Sequence, residues 1–348
     1  MKLVIDHKIP FIKGIFEPHA EVLYLPGGEI RREHLLKADC LLVRTRTQCD
    51  QKLLKKTNVK FIGTATIGFD HIDTKWCENN GIAWTNAPGC NSGAVMQYVT
   101  SALYEMARRK NFHLADKTLG IIGVGNVGKK IAKKARELGM TVILNDPPRQ
   151  RTEGGNEFTD LTTLLKNADI ITLHVPLNRD GTDKTIQMVD GEFLKNIKPG
   201  AILINSSRGE VIEEGEVLRE LREVREVREV KRLGGIVMDV WQNEPDINRE
   251  LMDLVDIATP HIAGYSVEGK YNATKIIVQE ASRFFGIPLS TFPPLIRDGR
   301  EVNQTGPMEP YDISSDDKNL RESPETFEQQ RNNYPARWEF QSPCLKVS

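Results

Sequence analysis

The stretch TLGIIGVGNVGKKIAKKARELGMTVILND, residues 118–146, decides the fold of this chain. Two apolar runs of the kind that form buried strands enclose a segment of helical periodicity. The first run leads directly into a G-x-G-x-x-G pattern made by Gly123, Gly125 and Gly128. Because a strand precedes this pattern and a helix follows it, the stretch predicts one strand–helix–strand unit of a parallel sheet.

The three glycines predict a phosphate-binding turn. Gly123 permits the tight turn, Gly125 lets the backbone approach a pyrophosphate, and Gly128 lets the helix lie close to the strand. Asn126 and Val127 open that helix, whose N-terminal N–H groups attract negative charge. The stretch therefore predicts a Rossmann-type site for a dinucleotide.

The residue that ends the second strand favours NAD over NADP. Asp146 lies 23 positions after Gly123, where such sites place a carboxylate for the adenosine ribose hydroxyls. A carboxylate would repel a 2'-phosphate, whereas Arg149 and Arg151 could accommodate one. NAD is the favoured cofactor, and NADP stays open at this point.

The same alternation extends over most of the chain. The other apolar runs are KLVID, CLLVRT, VKFIGTA, DIITLHVPL, AILINSS, GGIVMDVW and DIATPHIAG. Segments of helical length separate them, and a long helix is predicted to begin near Asn91. This pattern indicates an α/β protein with doubly wound parallel sheets. From about Ile287 prolines increase and aliphatic runs become rare, so this part is expected to pack on the rest of the chain or on a second subunit.

Composition excludes several classes of function. The formal net charge of -1 over 348 residues leaves no extended basic surface for nucleic acid or anionic membranes. No apolar run approaches the roughly 18 residues that a membrane span needs. The five cysteines have neither metal-ligand spacing nor a paired framework, so we expect a cytoplasmic protein without a metal site.

A repeat, REVREVREV, covers Arg222 to Val230. Valines at every third residue drift around a helix, because each step falls about 60° short of a full turn. Val217, Leu218, Leu221 and Val224 can therefore face a core, while Val227 and Val230 turn away from it. The repeat predicts a solvated helical extension stabilised by charge pairs.

Candidate site residues follow from the rule that ligands bind outside the carboxyl ends of parallel strands. The positions at predicted strand ends are Arg44, the loop Gly63–Gly68, His174, Arg208, Asp239 and His261. A histidine in such a place is usually structural, so His261 needs partners before it becomes a catalytic base. Glu244 could raise the pKa of His261, and the guanidinium group of Arg208 could bind a substrate carboxylate through two hydrogen bonds. Singly, each of these three could instead be a helix-end or strand-end group.

Together, GVGNVG, NSSRGEVI, MDVWQNEP and TPHIAGYS resemble the D-isomer-specific 2-hydroxyacid dehydrogenases over roughly residues 2–286. The resemblance implies that Arg208, Glu244 and His261 form the catalytic set, with His261 taking the hydroxyl proton. It implies that Asp239 meets the nicotinamide and that Gly264 lies near the cofactor. Val175 stands at a predicted cofactor contact where the family pattern leads us to expect a hydroxyl side chain, so this position departs from the pattern.

The family implies a discontinuous architecture. A smaller flavodoxin-like substrate domain would comprise residues 1–92 and 265–286, and the Rossmann domain would be inserted as residues 93–264. The tail, with YDISSDD and FEQQRNNYPAR, resembles one branch of the family, in which it forms a dimerisation domain. Residues 287–348 are therefore expected to make a homodimer.

That branch acts on a small phosphorylated four-carbon hydroxy acid, which needs a second anion site. VRTRT supplies Arg44 and Arg46, of which one is expected to reach the ligand. The resemblance implies that Thr45, Thr66 and Tyr265 contact the substrate. Two alternatives stay open: a dehydrogenase for 3-phosphoglycerate, glycerate or hydroxypyruvate, and a non-enzymatic NAD-sensing protein on the same fold.

Overall fold

The computed structural model describes residues 1–227, 232–289, 292–304 and 306–341. These residues divide into two units. The first unit contains residues 1–91, 266–309 and 338–341, and the second contains residues 92–265 and 310–337. Residues 228–231 and the side chains of 223–227 lie outside the described residues, so most of the repeat 222–230 does too.

The strands of the described residues are, in chain order, β1 (Lys2–Asp6), β2 (Glu21–Leu25), β3 (Cys40–Val43), β4 (Phe61–Thr64), β5 (Ala83–Thr85), β6 (Thr118–Ile122), β7 (Thr141–Asn145), β8 (Ile170–Leu173), β9 (Ala201–Asn205), β10 (Leu233–Met238), β11 (Ile257–Ala258), β12 (Ile296–Arg297) and β13 (Arg300–Glu301). Those before β12 belong to parallel sheets, while β12 and β13 pair antiparallel.

The α-helices of the described residues are α1 (Arg32–Leu35), α2 (Gln51–Leu54), α3 (Thr74–Asn79), α4 (Ser92–Lys110), α5 (Asn126–Glu137), α6 (Pro147–Glu153), α7 (Leu161–Asn167), α8 (Gly191–Asn196), α9 (Glu214–Val227), α10 (Arg249–Leu254), α11 (Val267–Phe285), α12 (Ile313–Glu322) and α13 (Phe327–Asn332). The helix predicted to begin near Asn91 is α4.

The first unit has a flavodoxin-like sheet. In the described residues its parallel strands are ordered β2-β1-β3-β4-β5, the 2-1-3-4-5 order of that fold. Successive strand residues enter opposite cores: Leu3 and Ile5 lie in one cluster, and Val4 lies in the other. Strand β1 is thus buried on both faces, as a parallel sheet requires.

The second unit has the predicted Rossmann-type sheet. Its described strands are ordered β7-β6-β8-β9-β10-β11, and all neighbours are parallel. The order reverses beside β6, the strand that leads into the glycine pattern. Ile121 faces one apolar cluster and Ile122 the other, so helices cover both faces. The carboxyl ends of these strands place His174, Arg208, Asp239 and His261 at one edge of this sheet, as does the glycine turn after β6.

The C-terminal residues add to both units. Leu320 and Phe327 are buried in one core of the second unit, and Ile313 is buried in its other core. The hairpin of β12 and β13 belongs to the first unit. The dimerisation role expected for residues 287–348 stays a prediction.

Two edge strands, β2 and β5, lie outside the apolar runs from which strands are predicted. Strand β2 is half-buried over most of its length, and β5 is three residues long. A short or half-buried edge strand lacks the continuous apolar run that marks a central parallel strand. Helix α9 begins as expected, with Val217 buried and Leu221 packed on the same core. The expectation for Val224, Val227 and Val230 falls outside the described side chains.

Ile277 of α11 is fully buried against the first sheet, where a Cβ added to Gly63 would come within 3.3 Å of the Ile277 Cβ. We predict that Ile277→Ala lowers the free energy of unfolding by about 2–5 kcal/mol, because it opens a cavity in a closed core. Gln279→Ala, an exposed change in the same helix, should leave it nearly unchanged. Urea unfolding followed by circular dichroism measures both, and equal effects would contradict the packing described.

Candidate active site

The glycine turn after β6 fits a bound dinucleotide. Gly123 has a φ of +88°, and a Cβ there would lie 2.5 Å from the carbonyl oxygen of His174. A Cβ on Gly128 would lie 2.2 Å from the Gly123 oxygen. At Gly125 an added Cβ meets nothing within 4 Å. Two glycines are thus required by the protein's own packing, and the third leaves an open approach to the backbone.

Asp146 connects the turn to the next strand. Its carboxylate accepts the Val124 N–H at 2.7 Å and the Arg149 N–H at 3.1 Å. A carboxylate has about four acceptor sites, so further hydrogen bonds to ribose hydroxyls remain possible. Asn126 and Val127 are the first residues of α5, directly beyond the turn.

The two arginines that left NADP open have acidic partners. Arg149 donates to Glu153 with an Nε–Oε1 distance of 2.7 Å, and its guanidinium lies 5.0 Å from the Phe158 ring centroid. Arg151 pairs with Asp183 at 2.5 Å. Because both guanidinium groups already face carboxylates, the surroundings of Asp146 favour a ribose without a 2'-phosphate.

The predicted pair of His261 and Glu244 forms. His261 Nδ1 lies 2.7 Å from Glu244 Oε2, and the other Glu244 oxygen accepts the Trp241 N–H at 3.0 Å. Burial acts to raise the pKa of Glu244, but the hydrogen bond and charge of His261 outweigh it, so the pKa is lowered. An ionised carboxylate only accepts, so Nδ1 carries the hydrogen and Nε2 is left to accept a proton.

Asp239 holds the loop that carries His261 through hydrogen bonds. Its buried carboxylate accepts the Thr259 hydroxyl at 2.7 Å and the N–H groups of Ile262 and Ala263 at 2.8 and 2.9 Å. Burial raises the pKa of Asp239, although the nearby His261 and these donors act in the opposite direction. His261 itself has a φ of 56°, in the left-handed region that most side chains avoid.

Arg208 follows β9 at the same edge of the sheet. It donates from Nη1 to the Ser207 carbonyl oxygen at 2.8 Å, and Asn205 donates to the Arg208 carbonyl at 2.9 Å. In the part of the chain that the structure describes, the Arg208 guanidinium makes no salt bridge. Two other predicted cofactor contacts, Val175 after β8 and Gly264 in the His261 loop, are half-buried.

In the first unit, the predicted anion-binding residues follow β3 and β4. Arg44 is half-buried and donates to the Lys8 carbonyl at 3.2 Å, while Thr45 and Arg46 are exposed. The Thr66 hydroxyl donates to the Gly68 carbonyl at 2.8 Å. The single hydroxyl proton of Thr66 is therefore used inside its own loop in this conformation.

Several residues around His261 are not among the candidates predicted from the sequence. Thr259 bonds Tyr98 at 2.7 Å, and its carbonyl accepts the Trp241 indole N–H at 3.0 Å. From the C-terminal residues, Arg331 approaches Glu244 at 3.8 Å and Arg337 donates to the Ala263 carbonyl at 2.6 Å. Both arginines lie in the stretch FEQQRNNYPAR, which is expected from the sequence to pack on the rest of the chain or on a second subunit, with no role at the site.

The model for the NAD binding domain of D-isomer specific 2-hydroxyacid dehydrogenases matches residues 93–263. An erythronate-4-phosphate dehydrogenase of Bacteroides thetaiotaomicron is 45% identical over 347 residues, with 97% of each chain covered. The chain belongs to the D-isomer specific 2-hydroxyacid dehydrogenase family. An erythronate-4-phosphate dehydrogenase of Salmonella arizonae is 39% identical, covering 98% of this chain and 93% of its own.

Solved structures of the family agree with the fold. A D-lactate dehydrogenase of Aquifex aeolicus, complexed with NAD and lactic acid, has a TM-score of 0.64 at 25% identity and covers 82% of this chain and 96% of its own. An NAD-bound 3-phosphoglycerate dehydrogenase of Entamoeba histolytica has a TM-score of 0.68 at 26% identity and covers 87% and 99%. This member of the family is therefore an NAD-dependent oxidoreductase, and it carries residues without counterpart in those structures.

Among the described residues, no helix combines the length and apolar character needed to cross a membrane. Within the same part of the chain, no three histidine, cysteine or acidic side chains come together as metal ligands.

The glycine turn makes a prediction for cofactor binding. Gly128→Ala should weaken NADH binding by about tenfold or more, because its methyl group would displace the Gly123 carbonyl and with it the turn. Gly215→Ala, in α9 and with open space around it, is the matched control and should bind NADH normally. Titration of NADH fluorescence measures both, and unchanged binding in the first variant would contradict the fit.

Asp239 has a predicted cofactor role and an observed contact with the His261 loop. In Asp239→Asn an amide NH2 replaces one of the two carboxylate oxygens that accept hydrogen bonds from that loop. We predict that the loop shifts, that His261 is displaced with it, and that kcat falls by about a hundredfold. The Kd for NADH should also rise, by less than about tenfold, because Asp239 is one predicted cofactor contact among several. An unchanged kcat would contradict the role of Asp239 in holding the His261 loop.

Proposed function

We propose that this chain oxidises 4-phospho-D-erythronate to 2-oxo-3-hydroxy-4-phosphobutanoate, with reduction of NAD, in the synthesis of vitamin B6. The observation that carries the reaction type is the 2.7 Å contact between His261 Nδ1 and Glu244. The assignment of the substrate rests on the two relatives named erythronate-4-phosphate dehydrogenase, which match nearly the whole chain.

His261 is the proposed proton acceptor. Oxidation of a secondary alcohol removes a hydride from carbon and a proton from oxygen, and Nε2 accepts the proton. The imidazole then becomes positive beside the carboxylates of Glu244 and Asp239, both of which interact with its charge. Their charges stabilise the product state of the proton transfer, and Glu244 keeps Nδ1 in the donor role.

Arg208 is the proposed partner of the substrate carboxylate. Its fork can bind a carboxylate through two hydrogen bonds, which orients the neighbouring hydroxyl-bearing carbon. Since its bond to the Ser207 carbonyl uses Nη1, other N–H groups of the fork remain for the substrate.

The cofactor contacts in the proposal are Gly123, Gly125, Asn126, Val127, Gly128, Asp146, Val175, Asp239 and Gly264. NAD supplies the hydride acceptor when it is bound. The glycines and the start of α5 would hold the pyrophosphate, and Asp146 would accept from the ribose hydroxyls.

The 4-phosphate requires a second anion contact. We assign this role to Arg44 or Arg46, with Thr45, Thr66 and Tyr265 as further substrate contacts. For Thr66 to donate to a ligand, its hydroxyl must turn away from the Gly68 carbonyl. The proposal also includes the domain boundaries 1–92 with 265–286, 93–264 and 287–348, a homodimer and a cytoplasmic location.

The direct test compares substrates. We predict that NADH formation with 4-phosphoerythronate has a kcat/KM at least about a hundredfold above that with 3-phosphoglycerate or glycerate, because specific polar contacts discriminate strongly. Hydroxypyruvate is tested in the reverse direction with NADH. Absorbance at the NADH band measures turnover, with a 2-oxo acid added as acceptor in case the cofactor stays bound. No preference for the phosphorylated four-carbon acid would defeat the substrate assignment.

His261→Ala serves as the control in the same assay. It should lose turnover and still bind NADH, since the imidazole lies outside the glycine turn. An active wild-type chain that loses activity in this way excludes the alternative of a non-enzymatic NAD sensor.

A further inference from the structure

The C-terminal segment, residues 310–337, is hydrogen-bonded to β11, the strand that precedes the His261 loop. Asp317 of α12 accepts the Ala258 N–H at 2.8 Å and pairs with Arg321 at 2.8 Å. Arg321 also donates to the carbonyls of Met252 and Val255. These bonds fix the segment against β11 and the end of α10, a short distance along the chain from His261.

From this anchored position the C-terminal segment reaches the catalytic pair. Nη1 of Arg331 lies 3.8 Å from Oε2 of Glu244, the same oxygen that contacts His261. Nη1 also lies 3.0 Å from Glu328. The guanidinium is 6.0 Å from the ring centroid of Tyr265, within the range of a cation–π contact. Arg331 is about one-fifth exposed, so solvent screens these charges less than it would on the open surface.

A second arginine of the segment holds the loop itself. Arg337 is buried and donates from Nη2 to the Ala263 carbonyl at 2.6 Å. Its guanidinium lies 4.5 Å from the ring centroid of Tyr311, and Tyr334 packs edge-to-face on Tyr265 at 5.8 Å. The loop after His261 is therefore packed against C-terminal side chains, in addition to its bonds with Asp239.

We propose that Arg331 is a positioning residue for the His261–Glu244 pair, so that the proton-transfer step depends on the C-terminal segment of the same chain. This inference rests on the proposed function and deepens it. It gives the tail a role in catalysis that is separate from dimerisation. Arg331 acts through Glu244, and the reacting atoms belong to His261.

The charge of Arg331 has a defined effect on His261. A protonated imidazole and the guanidinium compete for one Glu244 oxygen, so Arg331 favours the neutral imidazole that can accept a proton. The carboxylates around the pair are Asp239, which interacts with His261, Glu214, which interacts with Glu244, and Glu328, which pairs with Arg331. A second cation, Arg337, is bonded to the Ala263 carbonyl of the same loop. Removing Arg331 takes away the cation that contacts the Glu244 oxygen, so we expect the imidazole to hold its proton more tightly.

The test follows the ring signals of His261 by NMR in the free protein over a pH titration, with the signals assigned by their loss in His261→Gln. In Arg331→Gln the midpoint should move up by about half a pH unit, the size expected for a cation several ångströms away in a partly solvated site. Arg331→Lys retains the charge and should move it by less. Lys318→Gln removes an exposed cation of the same segment and should not move it.

Glu328→Gln is a second variant, for which the expected shift of the His261 midpoint has the opposite sign. It removes a carboxylate and frees Arg331 to approach Glu244, so the midpoint should move down. Arg331 and Glu328 form one ion pair. If they merely supported the fold, replacing one and then the other would not shift the His261 midpoint in opposite directions. An unchanged midpoint in folded Arg331→Gln, or in Glu328→Gln should the first variant not fold, overturns the inference.

Enzyme assays give the corresponding functional readout. The acid limb of kcat/KM for NADH formation should move in the same direction as the NMR midpoint in each variant. If no hydroxy acid yields NADH, the proposed function fails, but the titration of His261 still decides the role of Arg331.

Discussion

The geometry of the site depends on one buried carboxylate. Asp239 stands at the end of β10, and its two oxygens accept three donors from the loop that follows β11. Burying a charge is costly unless several hydrogen bonds compensate for it, and removing one donor of such a set leaves a buried acceptor unsatisfied. The left-handed backbone of His261 is sustained by this set, together with the bond from its own N–H to the Asp239 carbonyl at 2.7 Å.

The carboxyl edge of the sheet in the second unit carries two different sets of polar groups. At β6 and β7 the protein presents glycines, a helix N-terminus and a carboxylate, which suit a dinucleotide. At β9, β10 and β11 it presents a guanidinium, a carboxylate and a histidine, which suit proton transfer beside an anionic substrate. A parallel sheet brings these ends together without any one loop having to be long. The arginines after β7 are neutralised by acids, which keeps the nucleotide side suited to NAD.

The C-terminal segment shows how a late part of the chain can complete an earlier site. Its apolar side chains Leu320 and Phe327 are buried with the core of the second unit, so its position follows from packing. Once it is anchored, Arg331 and Arg337 come to Glu244 and to the His261 loop. This segment brings charges to the site that the motifs of Arg208, Glu244 and His261 do not contain.

Apolar runs predict the parallel sheets, and the glycines with Asp146 predict the turn. Arg208, Glu244 and His261 are named from predicted strand ends and from the family resemblance, and their catalytic roles stay predictions. These features have local causes: apolar runs set the strands, glycines set the turn, and strand ends set the edge. Three contacts follow from packing in three dimensions: His261 Nδ1 with Glu244, Asp239 with the loop that carries His261, and Thr66 within its own loop. The same packing places Arg331, 70 residues after His261 in sequence, beside Glu244. Distances between side chains so far apart depend on how helices pack on a sheet, and no sequence period records that packing.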